Sequence, residues 1–388
     1  MKKIFVLQDD IVWIPFSLIL DKPSFLFIIS SLSSGGAERV MTQMANFFAE
    51  NQNQVTICTW TDKSIEDFYP LHHSVTRKHA NLSYKTKGVF QKVLLASKRI
   101  LFLRKLLKMD PKTKALSFMD STNVLLVFAS IGLNVRCVIS ERTDPGSNPS
   151  IKPAWRLLRK FTYRFADAVV VQTKSAAKWI CKECKVNPTV LPNPLRSMPR
   201  SVNNSDEVVI AIGRLDYYKG FDVLLKAFAR VLEIFPSWSL LVIGEGPERA
   251  KLLRLREDLR IPQDKVQLVG RVDKVEDWLS RAGLFVQSSR IEGFPNALLE
   301  AMGMGLAVIS TNCRSGPSEI IQDGVNGRLV PTEGVLELAD TMIELIGDSN
   351  KRQALGKSAL EVNKHYAEEK ILEKWKDVLL SEGKRSFV

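Results

Sequence analysis

The sequence contains few cysteines and histidines, five and four in 388 residues. An odd number of cysteines spread over a long chain does not build the disulfide framework of a small secreted protein. Cys181 and Cys184 form a single Cys-x-x-Cys pair, and no second pair or nearby histidine completes a structural zinc site. We interpret the pair as part of a helix, with a redox pair as the lesser alternative, and we expect a reducing compartment.

Long hydrophobic runs are also missing. Residues 11–20 are apolar, but they number only ten and include Pro15, whereas about 20 residues are needed to span a bilayer. A pair of lysines at positions 2 and 3 resembles the start of a signal peptide, but two aspartates at positions 9 and 10 interrupt the apolar stretch. We interpret residues 1–23 as an N-terminal extension or interfacial segment without a secretion signal.

Acidic residues are scarce in the first half of the chain. The net charge is +13, and residues 1–200 contain 30 Lys and Arg against 14 Asp and Glu, whereas residues 201–388 contain 25 against 28. A basic first half points to an acidic partner, which could be nucleic acid, an anionic membrane or a phosphorylated substrate. No nucleic-acid-binding motif accompanies the charge, so nucleic acid is not expected.

The length and the pattern of apolar runs predict two α/β domains. Short, continuous apolar runs alternate with amphipathic helices, which is typical of doubly wound parallel sheets in a Rossmann-like arrangement. A segment rich in Ser, Pro, Arg and Asn at residues 195–206 reads as a linker. The first domain is therefore expected at residues 24–194 and the second from residue 207.

One stretch in the second half reads as strand, turn and helix. After an apolar strand, Glu292 and Gly293 turn the chain, and Pro295 suits the first helical position. Phe294, in the expected N-cap place, offers no acceptor, so the first helical N–H groups are free for an anionic or hydroxyl-rich ligand. Glu292 and Glu300 could face the same cleft; the alternative is a solvated helix surface.

Two glycine turns follow apolar strands elsewhere. Gly35 and Gly36 lie between the strand at residues 25–30 and a helix, where backbone N–H groups can approach a phosphate. Gly213 and Arg214 follow the first strand of the second domain, and Lys219 precedes the next helix; two cations at a strand's carboxyl end suit a diphosphate. The alternatives are glycines needed only for the turns and chance surface cations.

These stretches together resemble glycosyltransferase family 4, the group 1 type of retaining glycosyltransferases with the GT-B fold. The resemblance rests on the Glu-x7-Glu string at residues 292–303 and the Gly-Arg-Leu string that begins at residue 213, and it covers about residues 24–382. It implies a nucleotide-diphosphate sugar donor, most often a UDP-sugar. It also implies a second domain at residues 207–365 and a last helix, residues 366–388, that crosses back to the first domain.

The resemblance assigns roles to single residues. Arg214 and Lys219 would stabilise the departing diphosphate, Glu292 would hold sugar hydroxyls, and these three are the expected catalytic residues. The expected donor-binding residues are Gly35, Gly36, Gly213, Arg271, Gly293, Phe294, Pro295, Asn296, Ala297, Leu298 and Glu300, the last through the ribose hydroxyls. No Asp-x-Asp signature lies near the site, so we expect a metal-independent enzyme without a cofactor.

The acceptor side is expected at residues 140–145, after a strand of the first domain. Glu141, Arg142 and Asp144 either contact the acceptor or form loop salt bridges. Many family members carry a histidine here, and this chain has Arg142 instead, which puts a histidine-dependent mechanism in doubt.

Two basic helices, near residues 89–107 and 157–161, favour docking on an anionic membrane. In the first helix, a core-facing stripe is expected at Val89, Val93, Ala96, Ile100, Leu103 and Leu107, and a merely solvated cationic face is the alternative. We therefore expect a cytoplasmic enzyme, peripheral on the inner face of the cell membrane, that uses a lipid-linked saccharide acceptor in cell-envelope glycan assembly. A lipopolysaccharide core or a soluble sugar acceptor remains open.

Two other kinds of function remain open from the sequence alone. One is a sugar-nucleotide epimerase or hydrolase of the GT-B fold. The other is a non-catalytic protein that binds its partner through the basic face.

Overall fold

A computed structural model describes residues 6–7, 10–11, 23–84, 86–147, 151–198 and 207–381. Most of the N-terminal extension, and residues 199–206 of the predicted linker (195–206), therefore lie outside the described residues. Within the extension, strand β1 (Val6–Leu7) pairs with the antiparallel strand β2 (Asp10–Ile11).

The first domain contains a seven-stranded sheet in the order β5-β4-β3-β6-β7-β8-β9, and all its neighbouring pairs are parallel. Its strands are β3 (Ser24–Ile29), β4 (Gln54–Thr59), β5 (Thr76–His79), β6 (Lys114–Phe118), β7 (Arg136–Ser140), β8 (Ala168–Val171) and β9 (Thr189–Val190). Its helices are α1 (Gly36–Glu50), α2 (Gly88–Met109), α3 (Asp120–Ser130), α4 (Pro153–Thr162) and α5 (Lys174–Cys184).

The second domain contains a six-stranded parallel sheet in the order β12-β11-β10-β13-β14-β15. Its strands are β10 (Val208–Ile212), β11 (Ser239–Ile243), β12 (Val266–Gly270), β13 (Leu284–Gln287), β14 (Val308–Thr311) and β15 (Arg328–Val330). The helices that follow are α6 (Phe221–Ile234), α7 (Arg249–Asp258), α8 (Val275–Leu279), α9 (Asn296–Gly303), α10 (Pro317–Ile320), α11 (Val335–Gly347), α12 (Ser349–Ala359) and α13 (Val362–His365).

Both sheets reverse their strand order beside their first long strand, and this confirms the expected doubly wound architecture. β3 lies between β4 and β6, and β10 lies between β11 and β13. At such a point the loops after neighbouring strands leave to opposite faces and open a crevice at the carboxyl ends. The turns after β3, β10 and β13, which carry the predicted donor-site motifs, all start at these two points.

The last helix, α14 (Glu368–Leu380), packs in the core of the first domain. Trp375 is fully buried there, with its ring centroid 6.0 Å from that of Phe118 on β6. Arg136 adds a polar contact by donating through Nη2 to the Val378 carbonyl at 2.8 Å. The chain therefore passes through the second domain and returns to complete the first.

The predicted core-facing stripe of α2 is wrong in its first turns. Val89 and Val93 are 76% and 58% exposed, and the buried residues are Leu95, Leu103 and Leu107. Residues 88–94 are exposed all round the helix, so its first two turns extend beyond the domain. Ala96, Ile100, Leu103 and Leu107 pack against the core as predicted. Arg99 donates to the Leu82 carbonyl and Arg104 to the Ile131 carbonyl, each at 2.6 Å. The exposed apolar residues of α2 are Val89, Phe90, Val93, Leu94, Leu101 and Met109.

Replacing Trp375 with alanine should destabilise the first domain by about 3–5 kcal/mol, because it removes a fully buried indole and leaves a cavity. Urea unfolding followed by circular dichroism measures the change. Leu336→Ala is the control, since Leu336 is 54% exposed on α11 and should cost less than about 0.5 kcal/mol. Equal losses in the two variants would show that α14 does not contribute to this core.

Candidate active site

Helix α9 carries the Glu-x7-Glu motif and begins at Asn296, so Pro295 is its N-cap and not its first helical residue. The expected boundary is therefore wrong by one residue, but a proline cap also offers no side-chain acceptor. The N–H of Asn296 donates to the Phe294 carbonyl at 3.0 Å. Among the described residues, the N–H groups of Ala297 and Leu298 have no acceptor, so they remain available to a ligand.

Glu292 is buried and paired with Lys219. The Lys219 Nζ donates to Glu292 Oε1 at 2.6 Å, and the Ser289 hydroxyl donates to the same oxygen at 2.6 Å. The turn that presents Lys219 requires glycine next, because Gly220 has φ of +63° and a Cβ there would collide with the Ser288 carbonyl. The structure thus brings together the sugar-side carboxylate and one of the two diphosphate-side cations.

Arg214 is the open cation of the predicted diphosphate site. Its side chain is 72% exposed, and its Nε lies 4.0 Å from Asp216 Oδ2. Gly213 directly precedes Arg214 and follows the last residue of β10. Its N–H donates at 3.0 Å to the carbonyl of Ile243, the last residue of β11. Arg271 is exposed immediately after β12, which leaves it free to move.

Arg290 holds the turn that carries Lys219, and the sequence does not indicate this role. Its guanidinium donates to Asp222 Oδ1 and to the Tyr217 carbonyl, both at 2.7 Å, and lies 4.2 Å from the Tyr217 ring centroid. Its charge is offset by Asp222 and Glu333, which raise its pKa although burial opposes this. Arg290 therefore fixes the loop from Tyr217 to Lys219 against α6.

Glu300 is buried and forms an ion pair with Arg39 of the first domain. A second cation, Arg196 Nε, lies 3.7 Å from the same carboxylate oxygen. Burial lowers the pKa of Arg39, but the Glu300 carboxylate, together with Tyr69 and Glu368, raises it overall. Sequence reasoning missed Arg39; the only local signal is its place in the first turn after the Gly35-Gly36 loop.

The glycine turn of the first domain meets α9 at one point. A Cβ on Gly36 would lie 2.5 Å from Asn296 Nδ2, so the missing side chain allows this approach. Asn193 also reaches Asn296 from the first domain, donating to its Oδ1 at 2.6 Å. Gly35 faces its own domain and not α9, because the Glu38 carboxylate lies against it. Burial raises the pKa of that Glu38 carboxylate.

Arg142 is buried at the carboxyl end of β7 without an acidic partner. Its Nη2 donates to Asn193, its guanidinium lies 4.2 Å from the Phe118 ring centroid, and Nε and Nη1 have no partner among the described residues. Burial lowers its pKa to about 9. The other domain approaches here as well: a Cβ on Gly293 would lie 2.7 Å from the Arg142 carbonyl oxygen.

The other two acceptor-side candidates form salt bridges. Glu141 Oε1 accepts from Arg159 Nη1 at 3.0 Å and from the Tyr163 hydroxyl at 2.5 Å, inside the first domain. Burial raises the pKa of Glu141, although Arg159 and Tyr163 favour its charged form. Asp144 lies 3.7 Å from Arg314 of the second domain. Of the two interpretations given to these carboxylates, the geometry favours the loop salt bridge.

The described residues were also searched for two other features. They hold no group of three or more His, Cys, Asp or Glu side chains arranged to bind a metal ion. They include no helix that is both long and apolar enough to cross a membrane.

Two sequence families divide the chain at the same place as the fold. Residues 34–196 match Glycosyltransferase Family 4, and residues 197–362 match Glycosyl transferases group 1. A curated relative from Campylobacter jejuni is 31% identical over 356 residues, which are 90% of this chain and 96% of that protein. The chain belongs to glycosyltransferase family 4. It is a glycosyltransferase, as the Glu-x7-Glu motif predicts, and the non-catalytic alternative is not supported.

The Campylobacter relative is GalNAc-alpha-(1->4)-GalNAc-alpha-(1->3)-diNAcBac-PP-undecaprenol alpha-1,4-N-acetyl-D-galactosaminyltransferase. A second relative, the amylovoran biosynthesis glycosyltransferase AmsD of Erwinia amylovora, is 26% identical and is matched over 91% of this chain and 99% of its own length. Both relatives are bacterial enzymes of this family, and both are matched across the two domains.

Solved structures confirm the GT-B fold. TarM superposes with a TM-score of 0.79 at 15% identity, over 94% of this chain and 100% of TarM. HepE from Anabaena, solved with UDP and glucose, gives 0.74 at 17% identity, over 92% of this chain and 100% of HepE. At these identities the likeness is one of fold.

Replacing Arg142, which has no acidic partner among the described residues, and replacing Arg159, which pairs with Glu141, should affect the thermal stability differently. Arg142→Met removes a buried charge that has no acidic partner, so the melting temperature should stay the same or rise. Arg159→Met leaves Glu141 buried without its cation and should cost about 3–5 kcal/mol. Thermal unfolding of the two variants beside the wild type measures both effects; a large loss in Arg142→Met would contradict the absence of a partner.

Proposed function

We propose that this glycosyltransferase is a retaining enzyme that transfers a sugar from a UDP-sugar to a lipid-linked saccharide acceptor in cell-envelope glycan assembly. The Campylobacter relative acts on an acceptor joined to undecaprenol through a diphosphate, by its name. HepE was crystallised with UDP. These names support the donor and acceptor classes, and the site geometry supports the chemistry.

The observation that carries the proposal is the set of anion-binding groups at the carboxyl ends of β10 and β13. Arg214 is open to solvent, Lys219 is held by Glu292, and the N–H groups of Ala297 and Leu298 lack acceptors. A helix N-terminus with free N–H groups favours a negative charge, and Arg and Lys add full charges. A diphosphate matches this set.

The proposed reaction breaks the bond between the anomeric carbon and the phosphate oxygen. The acceptor hydroxyl oxygen bonds to that carbon from the same face, and its proton passes to the departing phosphate oxygen. Arg214, Lys219 and the two free N–H groups stabilise the negative charge that develops on the diphosphate. Glu292 accepts from sugar hydroxyls and Glu300 from ribose hydroxyls.

Arg214→Ala should lower turnover by about 10²–10³-fold, because it removes one preorganised donor to the leaving group. Donor affinity should change much less, since the charge on the diphosphate increases only as the bond breaks. Release of UDP from a UDP-sugar in the presence of acceptor gives the rate, and calorimetry with the intact UDP-sugar gives the donor affinity. Arg230→Ala, an exposed arginine on α6 of the same domain, should change neither. Equal losses of rate and affinity in Arg214→Ala would contradict the assigned role.

We propose that α2 docks the enzyme on the inner face of the cell membrane. Phe90 and Leu101 are 80% and 66% exposed, and the helix also exposes Lys92, Lys98, Lys105 and Lys108. Helix α4 adds Leu157 and Phe161, each 57% exposed. Apolar side chains beside lysines suit the boundary between acyl chains and anionic headgroups.

Vesicle binding tests this surface. Replacing Lys98 and Lys105 together by glutamine should weaken binding to phosphatidylglycerol vesicles by roughly tenfold or more, since each lysine near the surface contributes about 1 kcal/mol. Phe90→Ser should also weaken it, whereas Leu336→Ser on the second domain should not. Co-sedimentation at two salt concentrations measures the effect. Equal binding to neutral phosphatidylcholine vesicles, or binding that salt does not weaken, would argue against electrostatic docking.

A further inference from the structure

The ion pair between Arg39 and Glu300 joins the two domains at the proposed donor site. Arg39 lies in the first turn of α1 in the first domain, and Glu300 lies in α9 of the second. Their side chains are 17% and 5% exposed. Two charges so far removed from water are stable only while they remain paired, so this contact depends on the closed position of the domains.

Glu368 also acts on Arg39 electrostatically, but Glu300 has little alternative to Arg39 among the described residues. The only other cation near Glu300 is Arg196, at 3.7 Å. Arg196 is itself bound to Glu276, at 2.8 Å. When the cleft opens, Glu300 therefore loses its main cation and its fixed orientation.

Arg39 and Arg196 both approach the same carboxylate oxygen of Glu300. Arg39 Nη1 and Arg196 Nε approach Oε1, and no described residue donates to Oε2. A carboxylate has lone pairs on both oxygens, so Oε2 can accept hydroxyl protons while Oε1 stays bound to Arg39. Arg39 and a ribose hydroxyl can then share Glu300 without competing for it.

We infer that Arg39 is a positioning residue for the donor: it orients the Glu300 carboxylate towards the ribose and does so only when the domains are closed. The inference rests on the proposed role of Glu300. It makes the nucleoside site a composite of both domains, as the predicted contact of Gly35 and Gly36 would make the diphosphate site. Nucleotide binding and domain closure then favour each other, because each one needs the same oriented carboxylate.

Calorimetry with UDP, GDP and ADP tests the inference on the full chain. For the nucleotide that the wild type binds, Arg39→Met should raise the Kd about tenfold or more, since a hydrogen bond to a charged group is lost at the site. The Kd of Arg39→Lys should lie between that of the wild type and that of Arg39→Met. Arg77→Met is the matched control: Arg77 pairs with Asp67 at 2.7 Å, is 16% exposed and lies on the edge strand β5, so it should not change the Kd.

A double-mutant cycle separates positioning from general damage. In a Glu300→Gln background, Arg39→Met should have little further effect on the Kd, because the residue acts through Glu300. Additive effects would overturn the inference, as would an unchanged Kd. Tighter binding in Arg39→Met would overturn it too, since Arg39 would then compete with the nucleotide. The melting temperatures of all variants identify any that fail to fold. If Arg39→Met fails to fold, the Kd of Arg39→Lys provides the test instead.

The outcome is separable from that of the proposed function. If the wild type binds none of the three nucleotides, the donor site itself is wrong and the inference falls with it. If the wild type binds UDP and Glu300→Gln weakens binding while Arg39→Met does not, the donor site stands and only the role of Arg39 is wrong.

Discussion

Burying charged groups between two sheets is the constraint on which this structure depends. A guanidinium or carboxylate removed from water costs several kcal/mol unless an opposite charge compensates it. Lys219 and Glu292 meet this constraint within the second domain, and Arg39 and Glu300 meet it across the cleft. Among the described residues, Arg142 contacts an amide and an aromatic ring but no acidic group. The cleft thus contains both paired charges and an arginine without an acidic partner. An anionic ligand would change the balance of charge at each of them.

The charged residues are brought together by the carboxyl ends of the parallel strands. Parallel strands end at one edge of each sheet, and the reversal of strand order opens that edge. β10 and β13 are neighbours in the sheet, so the loops that follow them run side by side, and Lys219 donates to Glu292 at 2.6 Å. At Gly293, the absence of a side chain lets the first domain come into backbone contact. The reach of the site across both domains therefore follows from topology and from a few glycines.

Much of the architecture can be predicted from the sequence. The two parallel sheets and the family follow from apolar runs and from strings that are contiguous in the chain, and both are confirmed. The individual roles in the donor site stay predictions. What cannot be predicted are contacts between distant parts of the chain: Arg39 and Glu300 are separated by 261 positions, and no local pattern connects them. The prediction for the first turns of α2 fails for a similar reason, because apolar spacing does not show where a helix extends beyond its domain.

The return of α14 to the first domain also affects how the protein is made. The side chains of Ile371, Trp375 and Leu379 belong to the same core as β3 and β6, yet they leave the ribosome only after the second domain. A nascent chain that has finished its second domain still exposes apolar surface on its first sheet. Such surface attracts chaperones and favours association between chains. The first core is therefore completed only after the second domain has been made, and a chain truncated before residue 371 would have an unprotected first sheet.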